Sequence, residues 1–569
     1  MFSISIKENL LTFSKSDGTK LFDEQTKSPD DTFDVIGIFG IIEFNEKKYL
    51  VVATEAQEVG SIDNKLVYEI TKGKAIPIQE NSNDKNSIAI KEAIEDFLTY
   101  PGLYFSEYQL YNPYTLNQIG TEKQNRSEEQ KIKNETEAEN QSEMPNKNQN
   151  KNQNNEQIRS EQLENELNEF IKEDQIPDSP TINLDKLKSK VPSEFLFNQK
   201  PISSFLTHFA FMNFENMCIL KCIQGYFHSY EDFILMSRRC PKRIGARYFS
   251  RGIGKQGFPS NFVETEQIIS GKSSYLQIRG SIPLQWYHDV DLQFHPEIKI
   301  LPFKTEQLIS HTILEQIYKI PVIYFNLIKS KGYESKIFEK FNEIIKPNQE
   351  LFYNFDFKKE IHKNVFPFDF TRTGFTTASS KQKEIVRTNC IDCLDRTNSM
   401  QYLIGKTLFE LQLKDSGIED IKEYQKAFQK AFYENGNNLS LQYAGTNAMS
   451  SYYITDGGES IQGLTKDVFY ALYRYFVNRF RHGRYHTIIN IMTGNLDKGE
   501  VNFNSKSISL ERLSSLRFLI ILPLFLFLYK KSGNFYFKFL FSIIFSLYVL
   551  TLVLRIDSPT YSLDELFEY

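Results

Sequence analysis

The sequence predicts an α/β fold on three observations: β-rich runs near the N-terminus, a longer region mixing apolar strands with long helical patterns, and a polar loop set directly before one of those helices. Residues 1–120 contain the runs DVIGIFGIIEF and KKYLVVATEAQEVGSI, punctuated by Gly and Asn/Asp and followed by a helical pattern, SIAIKEAIEDFLTYPG. They form a β-rich N-terminal module. The opening MFSISIKENLLTFSKSDG alternates apolar and polar residues without the basic flank and long apolar run of a signal peptide, and reads as a first strand. Residues 181–500 supply PVIYFNLI and SYLQIRGSIPLQW as strands, with SMQYLIGKTLFELQL and DVFYALYRYFVNRF as helices. That blend is expected of an α/β catalytic unit.

Composition bounds the rest. A chain of 569 residues, 40% of them hydrophobic, holds two or more domains with sizeable cores. Its charge of −5 is the small difference between 67 basic and 72 acidic residues, so no global field points to nucleic acid. Any cationic site is local. Five cysteines are too few, and odd in number, for a secreted disulfide framework, which places the main body in the reducing cytosol.

Two stretches break the globular pattern. Residues 121–180, including NKNQNKNQNNEQ, are rich in Asn, Gln, Glu and Lys and nearly empty of aromatics, so they read as a disordered insertion. Beyond a linker at 501–512 come two apolar blocks, about 513–529 and 535–554, separated by a KKSGN turn and followed by a short tail at 555–569. A spanning helix needs ~20 mostly apolar residues, which both blocks approach when Arg517 and Lys538 snorkel. The expectation is a transmembrane helical hairpin; a buried hairpin or an interfacial helix is the alternative. Positive charge on every flank leaves its orientation open.

The densest chemistry lies in RTNCIDCLDRTNS, residues 387–399. Cys390 is followed after five residues by Arg396 and then Thr397, directly before a helical pattern. A loop of this length, Asn389, Ile391, Cys393, Leu394 and Thr397 included, wraps backbone N–H groups around a phosphate dianion at a helix N-terminus. The same field favours a thiolate at Cys390, and Arg396 forks onto two phosphoryl oxygens. In-line attack gives a phosphocysteine, later hydrolysed. Asp392 and Asp395 are the candidate acids or bases, provided one has a raised pKa. The chemistry calls for no cofactor and no metal. A structural loop with Asp395 paired to Arg396 is the plain alternative. Zinc is a poorer one, because no second CxxC or His pair completes a tetrahedral set around Cys390 and Cys393, and the crowding charges suit a redox CxxC badly.

RTNCIDCLDRTN resembles the signature of the Sac-domain phosphoinositide phosphatases, Arg-x-Asn-Cys-x-Asp-Cys-Leu-Asp-Arg-Thr-Asn, at every fixed position. SRRCPKRIGARYFSRGIGKQGFPSNFVETEQII, YLQIRGSIPLQW, NLIKSKG, FDFKKE and LSLQYAGTNA follow the order familiar from Sac domains, and the paired apolar blocks resemble that family's endoplasmic-reticulum-anchored branch. The resemblance implies a Sac N-terminal subdomain, a Sac catalytic subdomain and hydrolysis of phosphatidylinositol phosphates. Phosphatidylinositol 4-phosphate is the implied main substrate, and the 3-phosphate or 3,5-bisphosphate the rivals. It further implies a catalytic unit facing the cytosol from the endoplasmic reticulum or Golgi membrane, with Cys390 as nucleophile, Arg396 as phosphate-binding arginine, and Asp392, with Asp395 as rival, as acid or base. A non-catalytic phosphoinositide-binding scaffold at membrane contacts is the other functional class.

Several residues outside the loop carry expectations. Arg238, Arg239, Arg243 and Arg247 sit in a basic segment that either faces inositol phosphates or pairs with acids such as Glu264 and Glu266. Arg279 is either a wall of the site or a buried structural cation. Trp286 reads as core, and His482 with His486 as a solvated basic face. One departure from the family stands out: a basic run expected after LQYAGTNA is replaced by MSSYYITDGGESIQG, residues 449–463, with Asp456 and Glu459 in place of cations. Weaker attraction to anionic lipid is the expected result.

Overall fold

The computed structural model describes residues 2–113 and 194–498, apart from short breaks at 8–9, 16–17, 27–29, 79–84, 209–217, 255, 289–294, 303–305, 346–350 and 362–365. The insertion at 121–180, the linker, the apolar blocks at 513–554 and the tail lie outside the described residues. Among the described residues no helix is long and apolar enough to cross a membrane.

The chain opens on a four-stranded antiparallel sheet, ordered β3-β2-β1-β4, from β1 (Phe2–Lys7), β2 (Leu10–Lys15), β3 (Lys20–Gln25) and β4 (Asp31–Val35). The opening stretch read as one strand is therefore a hairpin, with Phe2 opposite Lys15 and Lys7 opposite Leu10. Alternation explains both arms: Ile4 and Ile6 on one, Leu11 and Phe13 on the other, all turn to the same core.

The main sheet has eleven strands, ordered β16-β15-β17-β12-β11-β10-β9-β8-β7-β6-β5. Its antiparallel part comprises β5 (Gly37–Phe44), β6 (Lys47–Ile62), β7 (Lys65–Ile78), β8 (Leu103–Ser106), β9 (Cys222–Tyr230), β10 (Phe233–Arg239), β11 (Val263–Ile269) and β12 (Ser273–Ser281). Because β8 pairs with β9, one sheet runs from residues before the insertion to residues after it. The run SYLQIRGSIPLQW is split: β12 ends at Ser281, and Trp286–Tyr287 forms a separate strand, β13, paired with β14 (Lys299–Ile300). Pro283 between them has no N–H to continue a ladder.

Parallel pairing begins at β12, which lies beside β17 (Ile385–Cys390); β17 in turn pairs with β15 (Val322–Asn326), and β15 with β16 (Phe352–Asn354). Every residue of β15 and β17 is buried, as suits strands covered on both faces.

The longer helices are α1 (Lys85–Leu98), α2 (Gln199–His208), α3 (Glu306–Tyr318), α4 (Ser335–Ile345), α5 (Asp395–Asp415), α6 (Ile421–Ala444), α7 (Ile461–Phe480) and α8 (His482–Met492). Helix α5 lies against β11 and β12, where Gln267 donates to the Gly405 carbonyl (3.0 Å) and Gln277 to that of Gln401 (3.0 Å). A Cβ at Gly405 would stand 2.7 Å from the Gln267 side chain, so the approach needs glycine. Gly436 of α6 does the same for Asn398 of α5, whose amide donates to the Phe432 carbonyl at 3.0 Å. Phe409 and Phe428 then stack across the two helices at 4.3 Å. Losing either ring would cost about 3–5 kcal/mol. This packing fixes the start of α5 relative to β17.

Candidate active site

Cys390 is the last residue of β17, flanked by the parallel strands β12 and β15, so it lies at the carboxyl ends of parallel strands, where open α/β sheets place ligands. Five residues later α5 begins. The turn between them is tight enough to put Cys393 in the left-handed region, at φ 51°.

Donors from outside hold the loop carbonyls. Ile282 N donates to Cys390 O (3.2 Å), Arg251 and Ser281 to Ile391 O (3.2 Å each), and Asn261 to the carbonyls of Asp392 (3.0 Å) and Cys393 (3.3 Å). With those oxygens committed, the amides of the loop and of the first turn of α5, which has no side-chain cap, are the donors open to an anion. The Cys393 thiol donates to Gly280 O at 2.6 Å and accepts from Cys390 N at 3.2 Å, which makes it a brace under the loop. Ile391 and Leu394 are buried apolar supports.

Arg396, Asp395 and Asp392 are each paired, though not as the plain sequence alternative had it, whereas Arg387 donates to Ser281 O at 3.0 Å. Arg396 places Nη2 2.6 Å from Glu334 Oε1 and Nη1 3.0 Å from Oε2, and donates to Leu327 O at 2.9 Å. Asp395 is held by Arg474, at 2.7 and 3.2 Å, and accepts from Met449 N at 2.6 Å. Asp392 receives both Nε and Nη2 of Arg247 on one oxygen, each at 3.0 Å. Arg247 is itself set by Tyr443 of LQYAGTNA: its N–H donates to Tyr443 O (2.8 Å), and the phenol donates to Ser250 O (2.6 Å).

These pairings decide protonation. Burial pushes the Cys390 thiol up to about 11; Arg396 pulls it down, while Asp392 and Glu334 add to the rise. A thiol rather than the expected thiolate is the neutral-pH form in this arrangement. Burial alone would raise Asp392, but Arg247 and Arg251 outweigh it and hold the carboxyl well below the usual range. Asp392 is therefore ionised in this arrangement, without the raised pKa that the sequence reading asked of a loop acid.

The basic segment and Arg279 divide differently. Arg238 is fully buried, with Nη2 2.6 Å from Glu266, Nη1 3.4 Å from Glu264 and Nε bonded to Leu110 O. Arg239 is held by Gln224 (2.7 Å) and the Gln442 and Gly245 carbonyls. Arg243 bonds Ser260 and Arg251 O. For these three the substrate-binding expectation is corrected: their guanidinium groups tie β10 and its following loop to the interior. Arg279 is buried on β12, opposite Thr388 of β17, and its Nε and Nη2 have no hydrogen-bond partner. Burial lowers its pKa to about 10, against the pull of Cys393. Asn389 and Thr397, also fully buried, keep side-chain polar atoms without partners. Such orphans cost about 1–3 kcal/mol each, and their concentration around one loop marks a site built for a ligand or for movement.

Trp286 is core, as read. His482 and His486 are not a solvated face: burial lowers both to about 3, and His486 Nδ1 accepts from Ala246 N at 3.2 Å. Among the described residues no group of three or more His, Cys, Asp or Glu could hold a metal ion. All five cysteines are free.

Sequence reasoning missed Glu334, Arg251, Arg474 and Arg479. Arg247, Arg251 and Arg479 surround the Tyr248 ring at 5.2, 5.6 and 5.0 Å, so cations from two distant segments converge beside Asp392. NLIKSKG, which ends two residues before Glu334, was the available signal for that residue. Nothing local marks the arginines of α7.

Comparison with known proteins bears on the chain's family. The chain is 28% identical to phosphoinositide phosphatase SAC6 of Arabidopsis thaliana over 499 residues, 81% of this chain and 75% of that one. It is 33% identical to phosphoinositide phosphatase SAC8 of the same plant over 297 residues, 47% and 50% of the two chains. It is 28% identical to phosphatidylinositol-3-phosphatase SAC1-A of Danio rerio over 362 residues, 57% and 61%. The family model described as the SacI homology domain matches residues 36–373, more than half of the sequence and most of the main sheet. With that match, the chain belongs to the SacI homology domain family.

Proposed function

We propose that this chain is a phosphoinositide phosphatase that hydrolyses phosphatidylinositol 4-phosphate to phosphatidylinositol and phosphate, with Cys390 as the nucleophile. The observation that carries the reading is the placement of Cys390 at the end of β17, under a loop whose carbonyls are held away and whose sixth residue on is Arg396. The loop amides and Arg396 bind the phosphoryl oxygens, once Arg396 exchanges Glu334 for the substrate. The Cys390 thiol gives up its proton as sulfur attacks phosphorus; the P–O bond to inositol breaks, and the inositol oxygen leaves with the electron pair and takes that proton. Water then attacks the phosphocysteine as Asp392 takes its proton; the S–P bond breaks, phosphate departs, and the sulfur leaves as thiolate and recovers that proton from Asp392, which restores the thiol.

Resemblance to the anchored branch supports the 4-phosphate and an apolar hairpin at 513–554 in the endoplasmic reticulum or Golgi membrane, with the catalytic unit in the cytosol. A second reading, the 3-phosphate, draws on the Danio rerio relatives SAC1-A and SAC1-B, both named phosphatidylinositol-3-phosphatases. Phosphate release from short-chain phosphatidylinositol 3-, 4- and 5-phosphates separates the two. Fastest release from the 4-isomer is expected, and preference for the 3-isomer would overturn that choice. Head-group binding without release from any isomer would favour a scaffold.

A further inference from the structure

A soluble fold rarely leaves a row of large aliphatic side chains in water, and α7 does. Ile461 is 86% exposed, Leu464 43%, Val468 64% and Leu472 40%. Their spacing of three, four and four residues puts them on one helical face. Four of the eleven exposed large hydrophobic residues among the described residues lie on this one helix, so the row is not the scatter ordinary to protein surfaces.

The other side of α7 is committed to the loop. Asp467 accepts from Ser450 N at 2.9 and 3.0 Å, and Arg474 grips Asp395, the first residue of α5. Continued at the same spacing, the apolar row reaches Tyr475 and then Arg479. The Arg479 guanidinium lies 3.9 Å from the Tyr475 ring and 5.0 Å from Tyr248, next to Arg247 and its partner Asp392. The helix thus carries an aliphatic strip that leads toward a cluster of arginines near Asp392. The acids just before it are occupied, Asp456 by the Ser460 hydroxyl at 2.6 Å and Glu459 by that of Tyr453 at 3.3 Å.

We infer that the outer face of α7 docks on the lipid bilayer that carries the substrate, with Ile461, Leu464, Val468 and Leu472 entering the boundary between head groups and acyl chains. An apolar strip ending in cations complements an apolar surface bearing anionic head groups, and it would hold the Cys390 loop toward that surface. The inference rests on the phosphoinositide reading above. It also gives the chain a way to face lipid that does not use the missing basic run at 449–463.

The test uses the full chain in phosphatidylcholine vesicles, with and without phosphatidylserine, containing phosphatidylinositol 4-phosphate. An environment-sensitive fluorophore is attached in Val468→Cys and, as a control off the strip, Lys466→Cys, with the background of the unsubstituted chain subtracted. Brominated lipids quench the label at 468 and spare that at 466 if the strip docks. An unquenched label at 468 overturns the inference, whether or not the chain hydrolyses lipid. In parallel, Ile461→Asp/Val468→Asp is expected to lose about tenfold in hydrolysis of vesicle substrate while keeping its rate on the soluble short-chain lipid and its thermal melting. Equal loss on both substrates, or none on vesicles, contradicts docking. A dimer dissolved by the double substitution would assign the strip to a second copy instead. Silence of the unsubstituted chain on every soluble isomer defeats the phosphatase reading alone, because quenching still decides the docking.

Discussion

Glu334→Gln should tighten phosphate binding, although it removes a well-formed ion pair. In the structure Arg396 gives both terminal nitrogens to Glu334, at 2.6 and 3.0 Å, with side chains 17% and 11% exposed. An incoming dianion needs the same fork, so it must first displace the carboxylate. A hydrogen bond to a charged group in such a setting is worth about 1.5–3 kcal/mol. At about 1.4 kcal/mol per tenfold, relief of the competition predicts roughly ten- to hundredfold tighter binding of inorganic phosphate or orthovanadate, measured by calorimetry. Glutamine keeps an acceptor for Lys329 N, which now donates to Glu334 at 2.9 Å, so the local turn is preserved. The same substitution removes a charge that raises the Cys390 thiol toward 11, so the pH profile of its alkylation should move to lower pH. Unchanged or weaker phosphate affinity, together with an unmoved alkylation profile, would refute the idea that Glu334 competes for Arg396.

Arg474→Ala leaves the Asp395 carboxylate without its cation in a site where the two side chains are 2% and 12% exposed. It should cost about 3–5 kcal/mol in urea unfolding and lower phosphate release, because the start of α5 loses its anchor to α7. Glu264 gives a pH prediction: burial raises its carboxyl to about 7 despite Arg238 and Tyr318, while the unfolded chain holds it near 4.5. Between those values the folded state carries the extra proton, so this group's contribution is full below 4.5 and falls as pH rises through 7. Glu264→Gln should flatten that slope in denaturant titrations across pH; an unchanged slope would remove Glu264 as its source.

Local patterning explains what could be read from the sequence. The periods of SMQYLIGKTLFELQL and DVFYALYRYFVNRF locate α5 and α7, and the run PVIYFNLI locates β15, because each signal lies within one element. Where a pattern spans a break, reading along it fails: MFSISIKENLLTFSKSDG hides a hairpin whose two arms share one alternation, and Pro283 cuts an otherwise continuous apolar run. Cys390 and Arg396 were singled out by their spacing as candidates. Their partners were not, since Glu334 lies 62 residues from Arg396 and Arg474 lies 79 from Asp395. Basic residues clustered in sequence misled for the same reason. Arg238 and Arg239 alternate along β10, yet both faces of that strand are buried, so each found interior partners, whereas Arg247 reached the loop through the turn set by Tyr443.

The most direct test of the central claim is to quench turnover of short-chain phosphatidylinositol 4-phosphate in acid and map phosphate on the digested chain by mass spectrometry. The account predicts a transient phosphoryl adduct on the peptide containing Cys390 that appears before phosphate is released. It also predicts that Cys390→Ser loses release. Release that persists in Cys390→Ser, with no adduct on that peptide, would contradict nucleophilic catalysis by Cys390.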